Sequence, residues 1–171
     1  MIDHKTIKAL TKKSESAFED VYHQTKRGVY SVIFSVVKNH EETQDLMQEV
    51  YMKMMQNIDK YQPKTNFVNW LFTLAKNVAI DHYRRAKKVQ TIDDIEYQDI
   101  FVSQEESPAS KDHFTHMIEL LTEEQRIIVL LKIVDDKKFK DIAAIVDKPL
   151  GTVLWQYQEA LKVLKGYEGI S

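Results

Sequence analysis

Along most of the chain the apolar residues return every three to four positions, the period of a helix buried on one side. Residues 4–12 predict a first short helix. Ser14 or Ser16 can cap the next, and Ser16 with Glu19 reads as a capping box. Phe18, Val21 and Tyr22 lead into Val29, Tyr30, Ile33, Phe34 and Val37, a long apolar stripe with a bend expected near Gly28. Asn39 followed by Glu42 opens a third helix whose buried face is Leu46, Met47, Val50, Tyr51, Met54 and Ile58. Asp45, Gln48, Glu49, Met52 and Gln56 stand opposite. Methionine is unusual on an acidic face, because it is adaptable and frequent at protein contacts. That face reads either as a docking surface for a basic partner helix or, more plainly, as a solvated one.

The stretch 65–88 organises the rest. Thr65 and Asn66 are good N-cap residues, and Pro63 closes off what precedes them. From Phe67 on, Leu71, Leu74, Val78 and Arg85 share one side of the wheel, flanked by Trp70, Ala75 and His82. The other side carries Asn69, Thr73, Lys76, Ile80, Tyr83 and Arg84, with Phe72 and Asn77 at its borders. Arg84, Arg85, Lys87 and Lys88 then follow within a few positions. An outward face of amides, rings and cations suits nucleic acid. Cations meet phosphates, amides reach base edges, and rings stack on unpaired bases. A solvated helix whose basic end suits its own dipole has the same pattern.

The last third has the rhythm of a helix-turn-helix. Thr122 with Gln125 forms a capping box before Ile127, Ile128, Leu130, Leu131 and Val134. Phe139, Ile142, Ala143 and Val146 predict a short helix, and Asp147-Lys148-Pro149 the turn. Pro149 opens a final helix in which Val153, Tyr157, Ala160, Leu161 and Leu164 point inward. Such a unit can read DNA, although the same geometry also occurs as plain packing.

Composition narrows the class. With 43% hydrophobic and 29% charged residues in 171, the chain is a folded protein rather than a disordered one. Four glycines and three prolines leave little for β turns, so the expected fold is all-α. The absence of cysteine excludes disulfides and thiolate metal sites and fits a reducing cytoplasm. No signal core opens the chain and no run is long enough to span a bilayer, so no membrane segment is expected. The net charge of −2 hides an asymmetry. Residues 1–90 hold 15 lysines and arginines against 10 carboxylates, whereas residues 91–110 hold six carboxylates and no base. The expected organisation is a basic domain at 1–90, an acidic linker at 91–112 and a second domain at 113–171. Ile92, Ile95, Ile100 and Phe101 imply that the linker docks somewhere. Catalysis is not expected: Asp81 and His82 are adjacent and diverge by about 100° on a helix, too far for a relay. His113 and His116 lie one turn apart without further ligands, so neither metal nor cofactor is expected.

AFEDVY at 17–22, DLMQEVYMK at 45–53, FVNWLFTLAKNVAIDHYRR at 67–85, LTEEQRIIVLL at 121–131 and PLGTV at 149–153 together resemble bacterial RNA polymerase sigma factors of the extracytoplasmic-function type. The resemblance implies two helical domains, corresponding to the second and fourth conserved regions, and a protein that directs core polymerase to promoters without being an enzyme. It implies that Asp45, Gln48, Glu49 and Met52 dock on the coiled coil of the polymerase β′ subunit. It also implies that Phe67, Trp70, Lys76, Asn77 and Tyr83 engage the melted −10 element, Asn77 being the first choice to read a base edge. Arg84, Arg85, Lys87 and Lys88 would hold phosphates.

At −35 the resemblance weakens. After Gly-Thr-Val the family usually continues Lys-Ser-Arg, whereas here the run is Leu154, Trp155, Gln156, Tyr157, Gln158, Glu159. The expected readers are Leu150, Thr152, Leu154, Trp155, Gln156, Gln158 and Lys162. Trp155 would pack on thymine methyls or on another protein, and the glutamines would pair with adenines. In the family the linker passes near the template path, so Asp93, Asp94, Glu96 and Asp99 are candidates for mimicking nucleic acid charge. Core RNA polymerase and promoter DNA are the implied partners, with an anti-sigma factor a further candidate. The competing reading is a two-domain helix-turn-helix regulator that does not itself initiate transcription.

Overall fold

The computed structural model describes residues 2–62, 66–93 and 113–168, and every regular element among them is helical. Among the described residues eight α-helices follow one another: α1 (His4–Thr11), α2 (Glu15–Val37), α3 (His40–Asn57), α4 (Phe67–Asp93), α5 (His113–Glu119), α6 (Glu123–Ile133), α7 (Phe139–Val146) and α8 (Leu150–Glu168). A 3-10 turn, Ile58–Lys60, ends α3. Pro63, Thr65 and the linker residues Asp94, Ile95, Glu96, Asp99, Ile100 and Phe101 lie outside the described residues, as do the side chains of Ile92, Asp93 and His113.

Local chemistry sets most helix starts. Asp3 accepts from the Thr6 amide at 2.8 Å to begin α1, and Asn39 from the Glu42 amide at 3.0 Å to begin α3. Asn66 accepts from the Asn69 amide at 3.1 Å at the head of α4. Both halves of the Thr122–Gln125 box are formed, at 3.1 and 3.2 Å. One expectation shifts: Ser14, not Ser16, caps α2, so no Ser16–Glu19 box forms.

Leu10, Val21, Val29, Leu46, Val50, Met54, Leu71 and Val78 fill the core that joins α1–α4. Leu121, Val129, Ala160 and Leu164 form a second, smaller one within α5–α8. The two halves do not stand apart, however. α6 packs on α2 and α7 on α4, and Ile127, Ile128, Leu131, Ile142 and Ile145 join the N-terminal core. Phe34 is buried against Ile118 and Leu130 in the same way.

Gly28 explains how the halves come so close. α2 runs through it as one continuous helix. A Cβ there would lie 2.1 Å from Phe72 Cζ and 2.9 Å from Asp135 Oδ2, so only glycine lets α4 and the 134–137 turn meet α2. The seam also has polar contacts. Asn69 Nδ2 donates to Asp141 Oδ1 at 3.0 Å, and the Lys137 ammonium lies 4.9 Å over the Phe72 ring. It has polar costs as well: Arg126 is 4% exposed, and its Nε and Nη1 are buried without partners, as is Asn69 Oδ1. An unmet buried donor or acceptor costs about 1–3 kcal/mol.

Candidate functional site

The polar face of α3 is exposed as its pattern predicts. Leu46, Val50 and Met54 point inward, while Asp45, Gln48, Met52 and Gln56 face solvent, Met52 at 62%. Glu49 is half-buried and pairs with Lys53 one turn on, at 2.7 Å. Beside this face a groove of about 900 Å³ runs between α2 and α3, lined by Phe18, Tyr22, Met47, Tyr51, Met52 and Met55. Its floor is braced by the Tyr51 hydroxyl, 2.8 Å from Thr25 Oγ1, and burial pushes the Tyr51 pKa well up. The groove escaped the sequence reading because its lining comes from two helices, and its residues look like core on either one.

Along α4 the candidate contact residues form two parallel rows, Lys76, Tyr83 and Lys87 in one and Asn77, Arg84 and Lys88 in the other, spaced seven and then four residues apart. Asn77, Tyr83, Arg84, Arg85, Lys87 and Lys88 are exposed, and Lys76 is half-buried. Arg85 donates through Nε to the Asp81 carbonyl at 3.2 Å. His82 Nε2 lies 3.3 Å from Glu42 Oε2, tying α4 back to α3.

Two expectations for α4 need correcting. Phe67 is 4% exposed, its ring edge-on to Tyr61 and tilted against Trp70, so it supports the surface rather than belonging to it. Trp70, half-buried, is the outermost member of that trio. The face carrying Asn69, Thr73 and Ile80 is not free either: all three are half-buried, and Asn69 is engaged by α7. The wheel registered the polarity of that face but gave no sign of an intramolecular partner.

On α8, Leu150, Leu154, Trp155, Gln158 and Lys162 are exposed, with Trp155 at 59%, while Val153 and Ala160 are buried. The polar residues expected beside Trp155 are partly occupied. Gln156 reaches Glu124 Oε2 at 3.4 Å, and Lys162 pairs with Glu159 at 2.6 Å. Thr152 is half-buried. Between Leu150 and Leu161 the helix carries no cation. Among the described residues no group of three or more His, Asp or Glu could hold a metal, and no helix is long and apolar enough to cross a membrane.

Residues 21–89 match the family model for sigma-70 region 2, and residues 112–164 that for sigma-70, region 4. The chain is 25% identical to the ECF RNA polymerase sigma factor SigW of Bacillus subtilis, over 96% of each chain. It is 27% identical to the RNA polymerase sigma factor SigV of the same organism, over 82% of this chain and 84% of that one. Among solved structures the fold is shared with the sigma factor RpoE from Bartonella quintana, crystallised with the anti-sigma factor NepR. That match has a TM-score of 0.71 and 24% identity over 90% of this chain and 98% of that one. The fold is also shared with CnrH, solved in complex with the cytosolic domain of CnrY, at a TM-score of 0.74 and 15% identity over 100% and 99% of the two chains. With regions 2 and 4 in order, an acidic stretch between them in the sequence and only helical elements among the described residues, this chain belongs to the sigma-70 family of RNA polymerase sigma factors, in its extracytoplasmic-function group.

Proposed function

We propose that the chain directs RNA polymerase to promoters by dividing three tasks among three helices. α3 binds the core enzyme, α4 engages the melted −10 element, and α8 contacts −35. The observation that carries the reading is the chemical opposition of α3 and α4. Asp45, Gln48, Glu49 and Met52 offer carboxylates and a soft apolar tip to a basic helix of the β′ subunit, with the adjoining groove ready to take that helix's apolar side chains. Asn77 and Tyr83 stand among the cations of α4. An amide there can donate to and accept from a base edge, and a ring can stack on a base that has left the helix. Unstacking one base costs a few kcal/mol, a loss that such stacking and edge contacts can offset. Arg84, Arg85, Lys87 and Lys88 anchor the backbone without reading sequence.

Leu154 and Trp155 give the −35 contact an apolar character, with Gln158 as the free amide of the set. The chain performs no bond chemistry of its own; catalysis rests with the polymerase, and the cytoplasm is where the two meet. Reversing the charge at Glu49 is the direct test. Glu49→Lys places two ammonium groups one turn apart on the docking face, where wild type has an ion pair. Binding to core polymerase should fall at least about tenfold, the ratio that 1.4 kcal/mol represents. Unchanged core affinity would remove the assignment of α3.

A further inference from the structure

We propose that α8 reads the −35 element through the methyl groups of thymines rather than through cations on guanines, with Leu150, Leu154 and Trp155 as the specificity-determining side chains. The proposal rests on the assignment of α8 to −35 given above and deepens it by naming what is read.

Leu150, Leu154 and Gln158 recur every four residues along one side of α8, and Trp155 stands next to Leu154. All four are exposed, on the side away from buried Val153, Ala160 and Leu164. A single apolar residue on a surface is ordinary, whereas three within the first two turns of one helix make a patch. A Cβ on Gly151, in the same two turns, would meet nothing within 4 Å, so no other part of the chain crowds this end of the helix. In a helix-turn-helix it is the N-terminal part of the second helix that meets base edges in the major groove. The one apolar group that groove presents is the C5 methyl of thymine.

Charge argues in the same direction. Guanine is most often read by an arginine or lysine on O6 and N7, and α8 has neither before Lys162. Lys162 is held by Glu159 at 2.6 Å, and Lys148 in the preceding turn by Glu124 at 3.0 Å. Residues 113–171 hold eight lysines and arginines against nine carboxylates, so this half of the chain has no net positive field to draw in DNA. Phosphate contact falls instead to the start of α7, where Lys138 and Lys140 are exposed and make no ion pair among the described residues. The first helix of such a unit crosses the DNA backbone, which puts anchoring on α7 and reading on α8. Gln158 adds an amide that can pair with N6 and N7 of an adenine. The matching element is a run of A·T pairs with its thymine methyls turned toward Leu150, Leu154 and Trp155.

Deoxyuridine in place of thymidine removes the methyl and leaves the pairing groups of the base unchanged, so it isolates this contact. The test uses holoenzyme reconstituted from core polymerase and the full chain, on a promoter taken from its mapped start sites. Transcription should fall about fourfold for each contacted −35 thymine that loses its methyl, the ratio that burial of one such group represents, and about fifteenfold for two. The same exchange in the spacer between −35 and −10 should have no effect. The ratio of thymine to uracil template should hold between about 50 and 200 mM salt, because a methyl contact releases no counterion. Lys140→Ala should weaken both templates alike. Leu154→Ala with Trp155→Ala should erase the difference, so that the residual transcription is the same from either template. Equal transcription by the wild-type chain from thymine and uracil templates would overturn the proposal and give the patch to a protein partner. A penalty that survives in the double variant would overturn the assignment to these side chains. Start sites that share no −35 element would instead remove the reading of α8 on which the proposal rests.

Discussion

Gly28→Ala is a substitution that local and tertiary effects push in opposite directions. Gly28 sits inside α2, with thirteen helical residues before it and nine after. Alanine at an interior helix position ordinarily gains about 0.5–1 kcal/mol over glycine. Here the new methyl would lie 2.1 and 2.5 Å from two ring carbons of Phe72 and 2.9 Å from Asp135 Oδ2. Phe72 is 1% exposed and has Lys137 above its ring, so it cannot swing out to solvent. Overpacking of this kind costs about 1–3 kcal/mol, which outweighs the propensity gain. The net expectation is a loss of about 1 kcal/mol, or a drop in Tm of about 2–4 °C for a chain of this length. Urea unfolding followed by circular dichroism, at fixed protein concentration, reads the midpoint directly. A lowered midpoint at unchanged slope supports the packing account, and a reduced slope means that the halves part before the rest unfolds. A variant more stable than wild type would refute the close approach of α2, α4 and the 134–137 turn.

Two further expectations concern the seam and α8. Burial raises the Asp135 pKa above its ordinary value, against the pull of Lys137 and Arg27, so the folded chain holds that proton more tightly than the unfolded one. This contribution is fully present below the ordinary aspartate value of about 3.9 and is lost as pH rises through the raised folded value. Asp135→Asn should therefore gain on wild type across the acid window just above 3.9, seen as a flatter dependence of Tm on pH; parallel pH profiles would contradict the burial of that carboxylate. Trp155→Ser should leave the fold within about 0.5 kcal/mol of wild type, since the ring is 59% exposed, yet lower −35-dependent transcription or anti-sigma binding several-fold. If neither changes, Trp155 has no functional contact.

What could be read in advance, and what could not, follows from the range of each interaction. The caps at Asn39, Asn66 and Thr122 are contacts over three residues and were visible in the sequence. The solvent face of α3 was visible too, because the period that buries Leu46, Val50 and Met54 forces Asp45 and Met52 outward. The period places Phe67 on the apolar side with Leu71 and Val78, as its burial in the Tyr61–Phe67–Trp70 cluster bears out; only the family resemblance assigned it to the −10 surface. At Gly28 the local sequence speaks only of flexibility, whereas the close approach that requires a glycine is set by Phe72, forty-four positions away. The half-burial of Asn69 was hidden for the same reason: Asp141 lies seventy-two positions along the chain, beyond any helical period.

The central claim is that carboxylates on α3 recruit the polymerase and cations with rings on α4 open the promoter for it. Reconstitution of the full chain with core RNA polymerase on genomic DNA, sequencing the 5′ ends of the transcripts, tests it most directly. The account predicts discrete start sites that appear only with the chain, share upstream −10 and −35 elements, and vanish with Glu49→Lys. Transcripts from the same positions with core enzyme alone, or binding of DNA by the chain with no start sites at all, would contradict it.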